Sequence, residues 1–171
     1  MTVMLPDAFG RRLDRIVGPN STADILAAIS APRPLAVRIH GDDDVVNQIR
    51  GELESGGFQP SPIAWCPQAF LLEDGDRATV QESASFQSGR IWIQSLSSMA
   101  AVTALEVSPG DDVLDLCAAP GSKTSMIGAA QANRGILVAN DRSRQRLYKL
   151  RSTLTRFGLD RVEITCTPGE S

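Results

Sequence analysis

The sequence predicts an α/β protein in which a small N-terminal α/β module precedes part of a doubly wound parallel sheet. In the second half, short apolar strands alternate with amphipathic helices, which is typical of parallel sheets. In the first half, helices and short strands are mixed without internal repeats. The chain has 171 residues, enough for one ordinary domain or two small ones. We expect a module over residues 1–80, a polar connection over 81–90 and a second domain over 91–171.

The elements of the first module follow from hydrophobic periodicity. Apolar residues recur at helical spacing over residues 6–17. A second helix follows, which Ser21 or Thr22 can cap. Next we expect a strand over residues 35–39 and a helix over residues 45–53 that Gly56-Gly57 ends. Two short strands are expected at residues 63–65 and 69–72.

In the second half a strand over residues 91–93 leads to a helix that Ser97 or Ser98 can cap. Another helix is expected to begin near Ser122, and a basic helix covers residues 142–157. The three parallel strands are expected at residues 113–116, 136–139 and 162–166.

Composition excludes several classes of protein. No run of 18 uncharged apolar residues exists, and the N-terminal residues lack the apolar core of a signal peptide, so we expect no membrane association. The three cysteines, Cys66, Cys117 and Cys166, form no CxxC pair. With His40 as the only histidine, we expect neither a disulfide framework nor a metal site, and a reducing cytoplasm fits best.

The net charge of −3 conceals an asymmetry. Residues 142–161 contain seven basic residues and a single acid, Asp160, a local charge of +6. Two interpretations stay open for this segment. It is either a solvated outer helix face, as charge runs usually are, or a contact for RNA phosphates.

Residues 115–124, Asp-Leu-Cys-Ala-Ala-Pro-Gly-Ser-Lys-Thr, lie between an apolar strand and a helix. In open α/β sheets, ligands bind beyond the carboxyl ends of strands at such turns. Two alanines and Gly121 keep side chains small, and Gly121 permits a positive φ. The helix start at Ser122 offers free N–H groups to a carboxylate. Asp141 ends the next strand, where an acid can bind ribose hydroxyls.

Three other interpretations of this turn were weighed. A dinucleotide fingerprint needs three glycines, and the turn has one. A P-loop needs glycines where Cys117 and Ser122 stand, although Lys123 and Thr124 fit. A tight strand–helix turn without a ligand is the third.

Residues 113–124, Val-Leu-Asp-Leu-Cys-Ala-Ala-Pro-Gly-Ser-Lys-Thr, closely resemble the cofactor motif of the Sun/nucleolar-protein family of RNA 5-methylcytosine methyltransferases. The resemblance covers roughly residues 9–167. Residues 89–98 are similar to the family's entry segment. Residues 139–141, with Arg146 and Leu147, are similar to its second-strand motif. Residues 35–57 are similar, more loosely, to its N-terminal RNA-binding module.

This resemblance implies an enzyme with a Rossmann-like class I methyltransferase sheet, of which the chain holds strands in the order 3-2-1. The implied reaction is methyl transfer from S-adenosyl-L-methionine to C5 of a cytosine in rRNA or tRNA, with RNA as partner. The turn would hold the methionine part, Asp141 the ribose, and Arg146 would contact the cofactor region. The implied cofactor-binding residues are Cys117, Ala118, Ala119, Pro120, Gly121, Ser122, Lys123, Asp141 and Arg146.

Several positions depart from the family pattern. Ser95 stands where the family usually has Asp, and Ser122 replaces the more common Gly. Near the end of the third strand the family places an acid that contacts the adenine side. The nearest aligned residues here are Thr167 and Pro168, and Glu170 is the acid close by.

The family's two catalytic cysteines follow its fourth and fifth strands, so the resemblance implies no catalytic residue within residues 1–171. Thr165-Cys166 falls on the third strand and is interpreted as chance. We therefore expect a chain that is inactive alone and, with its first parallel strand at an edge, marginally stable. The alternatives are a non-catalytic RNA- or cofactor-binding module that acts with a partner chain, and a P-loop-type nucleotide binder.

Overall fold

The computed structural model describes residues 6–31, 34–73, 75–132 and 134–170. The chain divides into two compact units, Met1–Arg33 and Pro34–Ser171. Helices and strands are mixed throughout the second unit, which confirms the predicted α/β class.

The first unit contains two helices, α1 (Asp7–Val17) and α2 (Pro19–Ser30), which contact each other. The predicted start of α2 was wrong. Pro19 occupies the first helical position, where its fixed φ favours a helix start, and Gly18 precedes it with a φ of 82°. Thr22 therefore lies inside the helix, where its hydroxyl donates to the Gly18 carbonyl at 3.0 Å.

The second unit begins with an antiparallel sheet in the strand order β2-β3-β1-β4. Its elements are β1 (Leu35–Ile39), α3 (Asp43–Ser55), β2 (Pro60–Ile63), β3 (Cys66–Leu72), α4 (Arg77–Glu82), α5 (Ala84–Gln87) and β4 (Ile91–Ile93). Asp42 is the N-cap of α3, and its carboxylate accepts from the Val45 N–H at 3.0 Å. Alternate residues of β1, Val37 and Ile39, are buried against α3.

Two features of this sheet differ from the expectation. No helix was predicted over residues 77–87, where the structure has α4, which ends the expected module and enters the connection, and α5, which lies within the expected connection at residues 81–90. Strand β4 pairs with β1, Val37 opposite Ile93, so it completes the antiparallel sheet. The domain limits at residues 80 and 90 stay a prediction.

The remainder alternates helix and strand: α6 (Leu96–Thr103), β5 (Val113–Asp115), α7 (Ser122–Ala130), β6 (Leu137–Asn140), α8 (Arg144–Arg156) and β7 (Glu163–Thr165). The three strands are parallel and lie in the order β5-β6-β7, as the predicted order 3-2-1 requires. Helix α8 buries Leu147, Leu150 and Leu154 against this sheet.

Strand β5 is an edge of the parallel sheet. Leu114 within it and Leu116 just after it are 57% and 48% exposed. Across the described ranges, no helix combines the length and hydropathy needed to cross a membrane. The residues that the structure describes also hold no group of three or more His, Cys, Asp or Glu side chains arranged for a metal ion.

Candidate cofactor site

The carboxyl ends of the three parallel strands are joined by one buried side chain, Asn140. Its Nδ2 donates to the carbonyls of Leu116 and Thr167 at 3.1 and 3.0 Å. Its Oδ1 accepts from the Thr165 hydroxyl at 2.9 Å and from the Thr167 N–H at 3.0 Å. Every polar atom of the amide is satisfied, so Asn140 fixes the spacing of the strand ends.

In the sequence, Asn140 belongs to the second-strand motif at residues 139–141, and no role between the strand ends was predicted for it. A signal was present, because a buried strand that ends in Asn-Asp places a side chain with both donors and acceptors where neighbouring backbones separate.

Asp141 follows β6 and is 2% exposed. Its Oδ2 accepts from the Ala119 N–H at 3.2 Å, and its Oδ1 accepts from the Ser143 N–H at 3.0 Å. The first of these bonds places the carboxylate against the turn of residues 115–124. The structure thus brings together the two features that sequence spacing assigned to one site.

Arg146 occupies part of the same site. Its Nη1 lies 3.0 Å from Asp141 Oδ2, and its Nη2 donates to the Ala119 carbonyl. A carboxylate offers about four lone-pair positions, of which three are now used. The Arg146 side chain is 53% exposed, so it covers the buried carboxylate of Asp141 from the solvent side.

The small residues of the turn serve packing. Ala118 and Ala119 are buried beneath α8. Gly121 has the predicted positive φ, 104°, but a Cβ there would lie only 2.9 Å from Thr153 Cγ2 of α8. The missing side chain at Gly121 therefore lets α8 approach the turn, and packing is sufficient to explain this glycine.

The start of α7 has no side-chain cap. Its N-cap residue, Gly121, supplies no side-chain acceptor, and of the first helical residues Ser122 is half-buried and Lys123 is exposed. The turn before it is held firmly, since the Thr153 hydroxyl donates to the Pro120 carbonyl at 2.7 Å. Free, oriented N–H groups at a helix start suit a carboxylate.

The outer rim of the turn is formed by Cys117, Pro120 and Lys123, which are exposed, and by the half-buried Ser122. Cys117 is therefore not the small buried residue that packing alone would favour. Thr124, by contrast, is fully buried and its hydroxyl donates to Asp115 at 2.7 Å. That bond removes the hydroxyl that a P-loop would offer to magnesium, which disfavours a phosphate site.

Two departures from the family pattern have a structural outcome. Ser95 is the N-cap of α6 and accepts from the Ser98 N–H at 3.3 Å, so the predicted caps, Ser97 and Ser98, were wrong by two to three positions. Asp and Ser are equally good N-caps, which explains why Ser is tolerated there. At the end of β7, Thr167 is held by Asn140, and Glu170 is exposed.

A buried cation connects the antiparallel sheet to α7. Arg38 donates through Nε to Gln94 Oε1 at 3.1 Å and through Nη2 to Ser125 Oγ at 3.0 Å. Burial lowers the pKa of Arg38 to about 10. Sequence patterning gave no hint of this contact, because Arg38 alternates with apolar residues as a solvent-facing strand residue would.

Comparisons with known proteins agree with this fold. Residues 102–170 match the family described as 16S rRNA methyltransferase RsmB/F. Ribosomal RNA small subunit methyltransferase F from Cronobacter sakazakii is 34% identical over 96% of this chain, and that from Vibrio parahaemolyticus is 34% identical over 92%.

Solved structures of other proteins have a similar fold. A methyltransferase homolog protein from Pyrococcus horikoshii superposes with a TM-score of 0.79 and 29% identity, over 95% of this chain and 53% of that one. NSun6 from Pyrococcus horikoshii, solved with SFG, gives a TM-score of 0.80 over 95% of this chain and 65% of that one, at 16% identity, a likeness of fold alone. These matches confirm the Rossmann-like class.

The chain spans about a third of the length of the curated relatives it matches, 35% for the Cronobacter protein and 34% for the Vibrio protein. The resemblance predicted from residues 113–124 is confirmed, and the chain is a relative of the RsmB/F-type methyltransferases.

Proposed function

We propose that the chain binds S-adenosyl-L-methionine at the turn of residues 115–124 and belongs to an enzyme that methylates C5 of a cytosine in ribosomal RNA. The observation that carries the proposal is the uncapped start of α7 beside the buried carboxylate of Asp141, which the Ala119 N–H holds at 3.2 Å. The relatives' names, which specify small-subunit ribosomal RNA, support the substrate class.

The donor set fits this cofactor. The N–H groups of Ser122 and Lys123, which no side chain caps, would receive the carboxylate of the methionine part. Asp141 would accept from the ribose hydroxyls once Arg146 leaves its Oδ2. Cys117, Ala118, Ala119, Pro120 and Gly121 would form the wall between these two points. When bound, the cofactor supplies an electrophilic methyl group, and these residues orient it.

None of the three cysteines is proposed as the nucleophile. C5 methylation needs a thiolate that adds to C6 of the cytosine. Cys66 is buried in β3, and burial raises the pKa of its thiol, which disfavours the thiolate. Cys117 lies on the cofactor turn, and Cys166 follows β7 with its Sγ near the Arg142 carbonyl. We therefore propose that these 171 residues bind the cofactor without methylating RNA.

The three cysteines are all free thiols. Free thiols support a cytoplasmic location. The ribosomal RNA substrate proposed above makes RNA the partner.

Calorimetric titration with S-adenosyl-L-methionine tests the proposal. We expect binding to the wild-type chain and at least tenfold weaker binding to Asp141→Asn, which keeps the shape but loses the charge and one acceptor. ATP with magnesium serves as the control ligand and is expected not to bind. Binding of ATP with magnesium but not of S-adenosyl-L-methionine would establish the P-loop alternative and overturn this assignment.

A tritiated methyl-transfer assay on ribosomal RNA separates the enzyme proposal from a non-catalytic module. The expected result is cofactor binding without transfer by this chain. Transfer by the 171 residues alone would show that one of Cys66, Cys117 and Cys166 is catalytic, contrary to the assignment above.

A further inference from the structure

Helix α8 presents an exposed aromatic ring among cations. Tyr148 is 79% exposed, the highest value among the large hydrophobic side chains that the structure describes. Arg144 precedes it by four residues and Arg151 follows it by three, so all three lie on one face of the helix. Arg142 and Lys149 are exposed nearby. These five residues are termed the outer α8 surface.

The cations of this surface have no partner of their own. Residues 142–159 contain no acid. Across the described residues, the ion pairs are Arg50–Glu54 and Arg146–Asp141, and neither involves the outer α8 surface. Two other arginines of the same helix do serve the fold, since Arg146 pairs with Asp141 and Arg156 donates to the Phe86 carbonyl.

The charge is also unfavourable for the helix that carries it. Arg144 stands at the first helical position, where the positive end of the helix dipole repels a cation, and the first turn contains no acid. Such a placement is unfavourable, because the cation faces the positive end of the helix dipole within its first turn. The outer α8 surface therefore contributes repulsion to the isolated chain, which a bound polyanion would relieve.

We propose that the outer α8 surface binds single-stranded RNA, with phosphates at its cations and a base stacked on Tyr148. An exposed aromatic ring flanked by cations is the combination that single-stranded nucleic acids favour, since every base has a face to stack. An acidic peptide would satisfy the cations but leave the ring unused. The inference rests on the proposed function for its partner class, because the substrate proposed there is RNA.

The position of the surface agrees with this role. The N-terminal end of α8 contacts the turn of residues 115–124, because Arg146 donates to the Ala119 carbonyl. An RNA strand that follows α8 toward its N-terminus would approach the turn where the methyl donor is proposed to bind.

Fluorescence anisotropy with a labelled single-stranded RNA of about 12 nucleotides tests the cations, because such a strand covers a typical single-strand site. The variant is Arg144→Ala with Arg151→Ala. The control is Arg50→Ala with Arg77→Ala, which removes the same charge from exposed positions on α3 and α4. We expect weaker binding by the α8 variant and a slope of log K against log salt shallower by about 1.4, at roughly 0.7 per phosphate contact. Equal effects of both double variants would overturn the proposal.

Tyr148→Ala and Tyr148→Phe test the stacking. Alanine is expected to weaken RNA binding roughly 5- to 100-fold, whereas phenylalanine, which keeps a ring, should bind nearly as the wild type does. Equal displacement of the RNA by polyglutamate, or no effect of Tyr148→Ala, would show a general polyanion surface and reject RNA recognition. Titration of the same variants with S-adenosyl-L-methionine keeps the two proposals apart: cofactor binding without RNA binding rejects this surface alone, and RNA binding without cofactor binding rejects the proposed function alone.

Discussion

At the scale of single residues, the site depends on two neighbours with different tasks. Asn140 spaces the strand ends through five hydrogen bonds to Leu116, Thr165 and Thr167. Asp141 presents its carboxylate to the turn and is restrained by Ala119, Ser143 and Arg146. The proposed ligand contact and the support of the strand ends thus fall to adjacent side chains of one strand end.

Asn140→Ala is expected to lower the free energy of unfolding by about 2–4 kcal/mol, because several buried partners lose their hydrogen bonds together. It should also weaken S-adenosyl-L-methionine binding. Gln131→Ala is the matched control, since Gln131 is equally buried but bonds to the Asp111 and Ile136 carbonyls at the opposite ends of the strands. Denaturant unfolding and calorimetry should show a stability loss for both variants and an affinity loss for Asn140→Ala alone. An unchanged affinity in Asn140→Ala would contradict its positioning role.

His40 gives the chain a pH dependence. Burial and, to a smaller extent, Arg38 lower the pKa of His40 below its ordinary value of 6.5. The unfolded chain therefore binds a proton more readily than the folded chain, so stability is complete above pH 6.5 and falls as the pH drops through the interval below it. The pKa values of the Glu52 and Asp76 carboxyls are also lowered. Both carboxyls titrate below pH 4.5, which is outside the pH range in which the unfolded chain's histidine takes up its proton.

The measurement for His40 is the melting temperature between about pH 8 and pH 5, a range that brackets the ordinary histidine pKa. We expect the wild-type melting temperature to fall toward pH 5 and His40→Gln to show a flatter profile. A wild-type profile that rises toward low pH, or identical slopes in the two proteins, would argue against this role of His40.

At the scale of elements, the turn of residues 115–124 is shaped by α8. Gly121 at the start of α7 leaves space for Thr153, whose hydroxyl also holds the Pro120 carbonyl at 2.7 Å. The buried face of α8 thus builds the turn, while its outer face is left to solvent or RNA. This division explains how one helix can be both strongly basic and well packed.

Gly121→Ala should destabilise the chain more than Gly110→Ala. Both glycines have a φ near 100°, but a Cβ at Gly110 would meet nothing within 4 Å, whereas one at Gly121 would lie 2.9 Å from Thr153. Backbone strain of about 1–2 kcal/mol is common to both variants, and overpacking adds about 1–3 kcal/mol at Gly121 alone. Urea unfolding of the two variants measures the difference. Equal losses would mean that α8 does not restrain the turn.

The sequence was informative where local pattern decides structure. The parallel strands and α8 follow from apolar periodicity, and α7 begins where the turn chemistry placed it, at Ser122. Helices α4 and α5 were missed because they are short, six and four residues, and contribute little apolar periodicity. The start of α2 was misplaced because Pro19 was overlooked as a first helical residue.

Tertiary pairing set the limits of prediction. Three apolar residues predict that β4 is a strand, but nothing local tells which sheet it joins. The burial of Arg38 depends likewise on Gln94 and on Ser125, 87 residues away. At the site, sequence named Asp141 but could not show that Arg146 covers part of its carboxylate.

At the scale of the whole molecule, β5 is an edge strand with exposed apolar side chains. Leu114 on β5 is 57% exposed. Leu105, which follows α6 and lies on no strand, is 55% exposed and serves as the comparison. Exposed, flat, apolar edges promote association between chains. We predict that Leu114→Lys suppresses aggregation on heating, measured by light scattering, with little change in the melting temperature. Leu105→Lys adds the same charge away from any strand, and an equal benefit there would show that the edge is not responsible.

The proposed function requires the methyl donor to bind where α7 begins, close to Asp141. Its most direct test is an amide chemical-shift titration of the ¹⁵N-labelled chain with S-adenosyl-L-methionine. We predict the largest shifts at Ala119, at Ser122 to Thr124 and at Ser143, whose N–H groups line the site, and none in α4 or α5. Shifts centred elsewhere, or no shifts at saturating cofactor, would contradict the claim.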